Sequence, residues 1–245
     1  MSETHAARTW VVGVIGGMGP MATADLLAKI TLATPVDTEQ DHLRVLVDSN
    51  PKIPDRNRAI LGNGESPAMA LAETARGLQR SGADFLVMAC NTAHAFAGAI
   101  RAAISIPFVS MIDEACDACV RTQPNALRVG LLAAPGCLSA GIYQRALTRR
   151  GRQAVVLPDP LLAEFAALLY RIKTAGPSDD ARIGMKTLAD ALVAAGADVL
   201  IAACTEVPLV LHAGDTGRPL IDATENLAQR CVQYARGNEL FPATY

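Results

Sequence analysis

Two stretches of this chain are nearly one stretch written twice. Residues 82–93 read Gly-Ala-Asp-Phe-Leu-Val-Met-Ala-Cys-Asn-Thr-Ala, and residues 196–207 read Gly-Ala-Asp-Val-Leu-Ile-Ala-Ala-Cys-Thr-Glu-Val. Each is a small turn, an apolar strand, a cysteine at the strand's C-terminal end and then polar residues. A second echo keeps nearly the same register: Val12-Gly13-Val14-Ile15-Gly16-Gly17-Met18-Gly19 against Val129-Gly130-Leu131-Leu132-Ala133-Ala134-Pro135-Gly136. Self-similarity of this kind predicts two copies of one α/β unit. If the copies pack face to face, Cys90 and Cys204 stand on opposite walls of one cleft. Two thiols on opposite faces of a small molecule suit a reaction that takes a proton from one side and returns it on the other.

Apolar runs of strand length alternate with helical segments along the whole chain. The pattern predicts strands near 10–16, 43–47, 85–89, 108–110, 128–132, 154–157, 198–202 and 219–221. Helices are expected near 21–33, 66–80, from 92, and near 139–150, 161–172, 179–194 and 223–236, with residues 48–54 as a loop broken by Pro51 and Pro54. Such alternation implies parallel sheets covered by helices, with ligands outside the carboxyl ends of the strands. The expected fold is α/β: two similar lobes, each a mainly parallel sheet flanked by helices, related by a pseudo-twofold, with the active site between them. The first lobe is read as 1–111, the second as 112–222, with a C-terminal segment 223–245 returning to the first.

Composition narrows the function classes. The net charge of −2 over 245 residues, with scattered arginines, argues against a nucleic-acid partner. No apolar stretch reaches the ~18 residues of a membrane span, and the polar start Met1–Thr9 lacks the apolar region of a signal peptide. A cytoplasmic protein with reduced thiols is the expectation.

A lone cysteine at a strand end is most often a small buried hydrophobe. Two in equivalent places of two repeats are different, because alanine or valine would fill a core as well. The flanking Asn91-Thr92 and Thr205-Glu206 are polar directly after apolar strands, so they are expected at the cleft. A helix start after Cys90 would favour a thiolate and a bound carboxylate, and oriented N–H groups would stabilise a developing carbanion. Cys116 and Cys119 form a C-x-x-C without the further ligands of a zinc site; Asp113 reads as a helix cap, which puts this pair inside a helix. Cys231 falls at a core spacing of the last helix. Cys137 follows Pro135-Gly136 at a strand end and is a candidate for the same cleft.

At this point a resemblance carries further. Gly16-Gly17-Met18-Gly19-Pro20, Ala89-Cys90-Asn91-Thr92-Ala93-His94 and Ala203-Cys204-Thr205-Glu206-Val207-Pro208-Leu209 resemble the signatures of the aspartate/glutamate racemase family, closest to its aspartate branch. The resemblance runs from Val11 to about Ala235. It implies a two-lobed fold, two cysteines as acid and base, no metal and no pyridoxal phosphate; none of Lys29, Lys52, Lys173 and Lys186 sits in a setting that suggests a Schiff base. It also implies a small amino-acid substrate and a homodimer. Pro54-Asp55-Arg56 matches the family loop in which the arginine clamps a carboxylate, a role suited to its planar fork. Lys173, in Ile172-Lys173 near Gly176, matches the partner cation. Asn50, Asn91, Thr92 and Thr205 match positions that contact the substrate, and Met18 and Glu206 lie within the signatures. One departure is Gly136-Cys137, where the family carries Gly-Thr.

Alternatives remain at this stage. Gly17-Met18-Gly19-Pro20-Met21-Ala22, with Asp48 at the next strand end, satisfies a dinucleotide-binding pattern. Related isomerases or decarboxylases acting on maleate, hydantoins or arylmalonates are a second possibility. Aspartate is preferred over glutamate as substrate on the motif match.

Overall fold

A computed structural model describes residues 9–242; the polar residues 1–8 read above and the last three of the C-terminal segment lie outside it. The repeated Gly-Ala-Asp explains itself structurally. Gly82 and Gly196 take positive φ, 95° and 90°, directly after helices α3 (Ala68–Arg80) and α9 (Asp179–Ala194), a conformation that glycine reaches without Cβ strain. The aspartates then hook the neighbouring strand: Asp84 accepts from Val11 N at 2.8 Å, and Asp198 accepts from Leu127 N and Arg128 N at 3.0 and 2.9 Å.

The hooked strands are equivalent too. β1 (Val12–Gly16) pairs in parallel with β3 (Phe85–Met88), and β4 (Arg128–Leu131) pairs in parallel with β6 (Val199–Ala202). A Cβ on Gly13 would meet Leu86 Cδ2 at 2.4 Å, and one on Gly130 would meet Leu200 Cδ2 at 2.5 Å. Each copy therefore needs glycine where its central strand passes beneath a leucine of the next. These contacts set Cys90 and Cys204 at the same place in two sheets.

The fold is α/β with two parallel sheets flanked by helices. The first sheet has the order β2-β1-β3, with β2 at Val45–Ser49; the second has the order β5-β4-β6-β7, with β5 at Gln153–Val155 and β7 at Leu220–Asp222. The remaining helices are α1 (Pro20–Ala33), α2 (Arg56–Ile60), α4 (Ala97–Arg101), α5 (Met111–Thr122), α6 (Pro135–Ser139), α7 (Ile142–Arg149), α8 (Asp159–Ala175) and α10 (Ala223–Ala235). α10 packs on α1 and α5, and Trp10 N donates to Ala235 O at 2.8 Å. One continuous core joins Val12, Val14, Leu26 and Phe85 to Leu131, Leu200 and Leu227. The other face of the first sheet, with Ile15, Leu86 and Met88, packs in a separate cluster with Leu71 and Leu78 of α3.

Several local expectations are corrected. The strand expected at 108–110 reduces to one bridge between Phe108 and Leu86, because Ser110 caps α5 by accepting from Asp113 N at 3.2 Å. The cap is Ser110 and not Asp113, though Cys116 and Cys119 do lie within that helix. The segment after Cys90 begins as a 3-10 turn, Thr92–Phe96, before α4, so the helix end expected there is weaker. The helix expected at 139–150 is α7, which starts after Gly141 with φ 63°, and the short α6 before it was not anticipated. α2 was not anticipated after the proline loop; Asp55 starts it by accepting from Arg58 N at 2.9 Å.

Candidate active site

Both sulfurs are nearly closed off from solvent, Cys90 at 5% exposure and Cys204 at 6%. The residues after them are buried as well: Asn91, Thr92, Thr205 and Glu206. Buried polar groups need partners, and theirs define the site. Cys204 Sγ donates to Glu206 Oε2 at 3.0 Å, and Thr205 Oγ1 reaches the same oxygen at 3.4 Å. Lys173 Nζ lies 3.8 Å from Glu206 Oε1. Burial pushes the Cys204 thiol well up, and the Glu206 carboxylate adds to this, while Lys173 opposes it. Cys204 is therefore held as a thiol against the Glu206 side chain.

Lys173 connects the two halves. It sits in the last turn of α8, over the Tyr170 ring at 5.9 Å. Burial would lower its pKa, but Glu206, Cys204 and Cys90 act together to raise it, with Arg56 opposing. One ammonium thus feels both thiols, the glutamate and the arginine. Sequence had separated these groups over more than half the chain.

Arg56 is half-buried at the start of α2. Its guanidinium donates to the carbonyls of Ile53 and Pro54 at 3.2 and 3.1 Å, and its Nε is buried without a partner among the described residues. Neighbouring Asp55 accepts from the Tyr170 hydroxyl at 3.1 Å. A cavity of about 220 Å³ between α2, α6 and α8 is lined by Asn57, Leu61, Ala134, Pro135, Tyr170 and Lys173.

Other candidates are placed differently. The Met18 side chain is in the core beside Ile15 and Ile53, so only its backbone belongs to the loop. Asn50 uses its side-chain oxygen to accept from Lys52 N at 2.9 Å, and its backbone backs onto Gly17. Cys137 is fully buried, and burial, helped by the nearby Cys90, raises its thiol pKa. It belongs to the same buried cluster as Cys204.

Three residues escaped sequence reasoning. His94 lies behind Cys90: Met111 N donates to its Nε2 at 3.1 Å, which leaves Nδ1 protonated to donate to the Cys90 carbonyl at 2.8 Å. Burial lowers its pKa to about 4, so it is a neutral brace. Tyr143 of α7, fully buried, donates to Asn91 Oδ1 at 2.6 Å across the lobes. Asn57 of α2 accepts from Gly136 N of α6 at 2.9 Å. The only sequence signal for Tyr143 was its rarity, with 4% aromatic residues in the chain.

The glycine loop does not favour a dinucleotide. Glu206 Oε1 lies 3.7 Å from where a Cβ on Gly19 would stand, so a carboxylate already faces the helix end that would have to take a pyrophosphate. Among the described residues no cluster of three His, Cys, Asp or Glu could hold a metal ion, and no helix is long and apolar enough to cross a membrane.

Comparison with known proteins agrees with this geometry. Residues 15–231 match the family model described as Asp/Glu/Hydantoin racemase. The chain is 25% identical over 229 residues to the broad specificity amino-acid racemase RacX of Bacillus subtilis, covering 91% of this chain and 96% of that one. It is 30% identical over 166 residues to a glutamate racemase of Geobacter metallireducens, covering 65% of this chain and 59% of the relative. Among solved structures, the Picrophilus torridus aspartate racemase superposes with a TM-score of 0.81 at 30% identity, covering 92% of this chain and 94% of that one.

Proposed function

The chain belongs to the Asp/Glu/Hydantoin racemase family, and from that premise we propose that it racemises an acidic amino acid, aspartate before glutamate, by proton transfer between two thiols. One thiol removes the α-proton while the other delivers a proton to the opposite face of Cα. The observation that carries this reading is the buried cluster in which Glu206 accepts from the Cys204 thiol at 3.0 Å and lies 3.8 Å from the Lys173 ammonium.

The steps balance without a redox partner. In one direction Cys90, as thiolate, forms an S–H bond as the Cα–H bond breaks, and the Cys204 S–H gives its proton to the other face. In the other direction Cys204 must first be a thiolate, and Glu206, 3.0 Å from its sulfur, accepts that proton. Buried thiols need such help, because burial disfavours the charged form. Arg56 and Lys173 are the proposed carboxylate clamp. Asn91, Thr92 and Thr205 contact the α-carboxylate or ammonium, with Asn50 and the Met18 backbone at the edge. The proposed chemistry needs neither pyridoxal phosphate nor a metal, and we propose a cytoplasmic homodimer.

The test is incubation with L-aspartate or L-glutamate in heavy water. Solvent deuterium at Cα with loss of optical rotation is expected, and Cys90→Ala or Cys204→Ala abolishes racemisation. Full racemase activity in either variant removes the two-thiol mechanism.

A further inference from the structure

We propose that Tyr143 is a positioning residue: it turns the Asn91 amide so that Nδ2 points away from the phenol and donates to a carboxylate oxygen of the substrate beside Cys90. The identity of that ligand rests on the racemase reading; the orientation of the amide does not.

The argument starts from accounting for buried polar atoms. Tyr143 has no exposed surface and Asn91 is 2% exposed. Their heavy atoms meet at 2.6 Å, a short O–H···O separation. With Oδ1 facing the phenol, the Tyr143 hydrogen and the Asn91 oxygen satisfy each other. Only Nδ2 is left, buried and without a partner among the described residues. The flipped amide is worse. It would offer Nδ2 to the phenol oxygen, strand the phenol hydrogen and strand Oδ1 as well. An amide's orientation follows from its bonding network, and here one phenol decides it.

An orphaned buried donor is costly unless something pairs with it. Asn91 directly follows Cys90, and Cys90 is braced from behind by His94. A donor held at that point completes its bonding when a carboxylate arrives. Tyr143 comes from α7 in the second lobe, whereas Asn91 follows β3 in the first. The donor is thus aimed only when the two lobes are in place. Burial raises the Tyr143 pKa well above its ordinary value, which keeps the hydroxyl a donor.

The test combines a spectroscopic and a kinetic arm. In protein labelled with 15N, the Asn91 side-chain amide is expected to give one pair of signals in wild type and to shift or split in Tyr143→Phe. Unchanged signals overturn the inference without reference to turnover. In L-aspartate kinetics, Tyr143→Phe is expected to raise KM about 10- to 100-fold, the range of a hydrogen bond to a charged group, with a smaller fall in kcat. Adding Tyr143→Phe to Asn91→Ala should cost nothing more; additive losses overturn the proposal. Asn91→Asp keeps the oxygen that Tyr143 holds and replaces the amide donor with a carboxyl oxygen that repels a substrate carboxylate. It should lose substrate binding, so unchanged KM in Asn91→Asp overturns the proposal even if Tyr143→Phe fails to fold. If wild type turns over neither aspartate nor glutamate, the racemase reading fails while the amide signals still decide the role of Tyr143.

Discussion

Gly136→Ala tests how tightly the two halves are fitted. A Cβ at this position would stand 2.9 Å from Asn57 Cα and 2.7 Å from Asn57 Oδ1. An ordinary carbon–carbon contact needs ~3.8 Å, so α2 and α6 must separate by about 0.9 Å. The Gly136 N to Asn57 Oδ1 bond, now 2.9 Å, would open beyond hydrogen-bonding reach. Overpacking of this kind costs about 1–3 kcal/mol, and the lost bond adds about 0.5–1.5 kcal/mol. The stability loss is therefore expected at about 2–4 kcal/mol, read as a lower urea midpoint at constant slope. Catalysis should suffer separately, because Asn57 is next to Arg56. A displacement near 1 Å costs up to about 100-fold in rate. A variant whose midpoint and kcat/KM both stay within twofold of wild type would show that the α2–α6 contact yields freely and does not set the site.

Three further outcomes are expected. Glu206→Gln removes a charge that holds the Cys204 thiol up; the pH midpoint for alkylation of Cys204, followed by peptide mass spectrometry, should fall while racemisation falls with it, and an unmoved midpoint refutes the coupling. His94 is buried with a pKa lowered to about 4 from 6.5. The unfolded chain binds this proton first, so stability holds above about pH 6.5 and drops towards pH 4; between pH 7 and 4.5 wild type should lose about 2–3 kcal/mol more than His94→Gln, and parallel curves would refute this. Arg56→Ala should cost about 2–5 kcal/mol in kcat/KM for aspartate and glutamate; unchanged kinetics would mean that Arg56 only braces the Ile53–Pro54 turn.

The strand ends were legible in the sequence because the repeat is local. Gly-Ala-Asp, an apolar run and a cysteine carry their own register, and the aspartate hooks and strand glycines in both copies have the same partners. What could not be read were contacts between copies. Nothing in the sequence pairs Asn91 with Tyr143, or Asn57 with Gly136, until the lobes meet. Met18 and Cys137 were named from motif position alone, and their side chains are buried in the same clusters as Cys90 and Cys204. The missed α2 follows a proline loop too short for apolar periodicity to show.

The placement of α10 against α1 bears on how the chain is made. A nascent chain leaves the ribosome from its N-terminus, and lobes able to stand alone would form in that order. Here the first lobe is missing a wall. Leu26 and Ile30 of α1 and Phe85 of β3 belong to the same core as Leu227, Ala228 and Cys231, and the backbone bond from Trp10 closes on Ala235. Those partners do not exist until residues 223–235 have been made. The N-terminal half must therefore wait with apolar surface uncovered, through a loop closure spanning most of the chain, which is a slow class of contact to form. A polypeptide released before residue 223 would carry both cysteine strands without the helix that covers Leu26, Ile30 and Phe85.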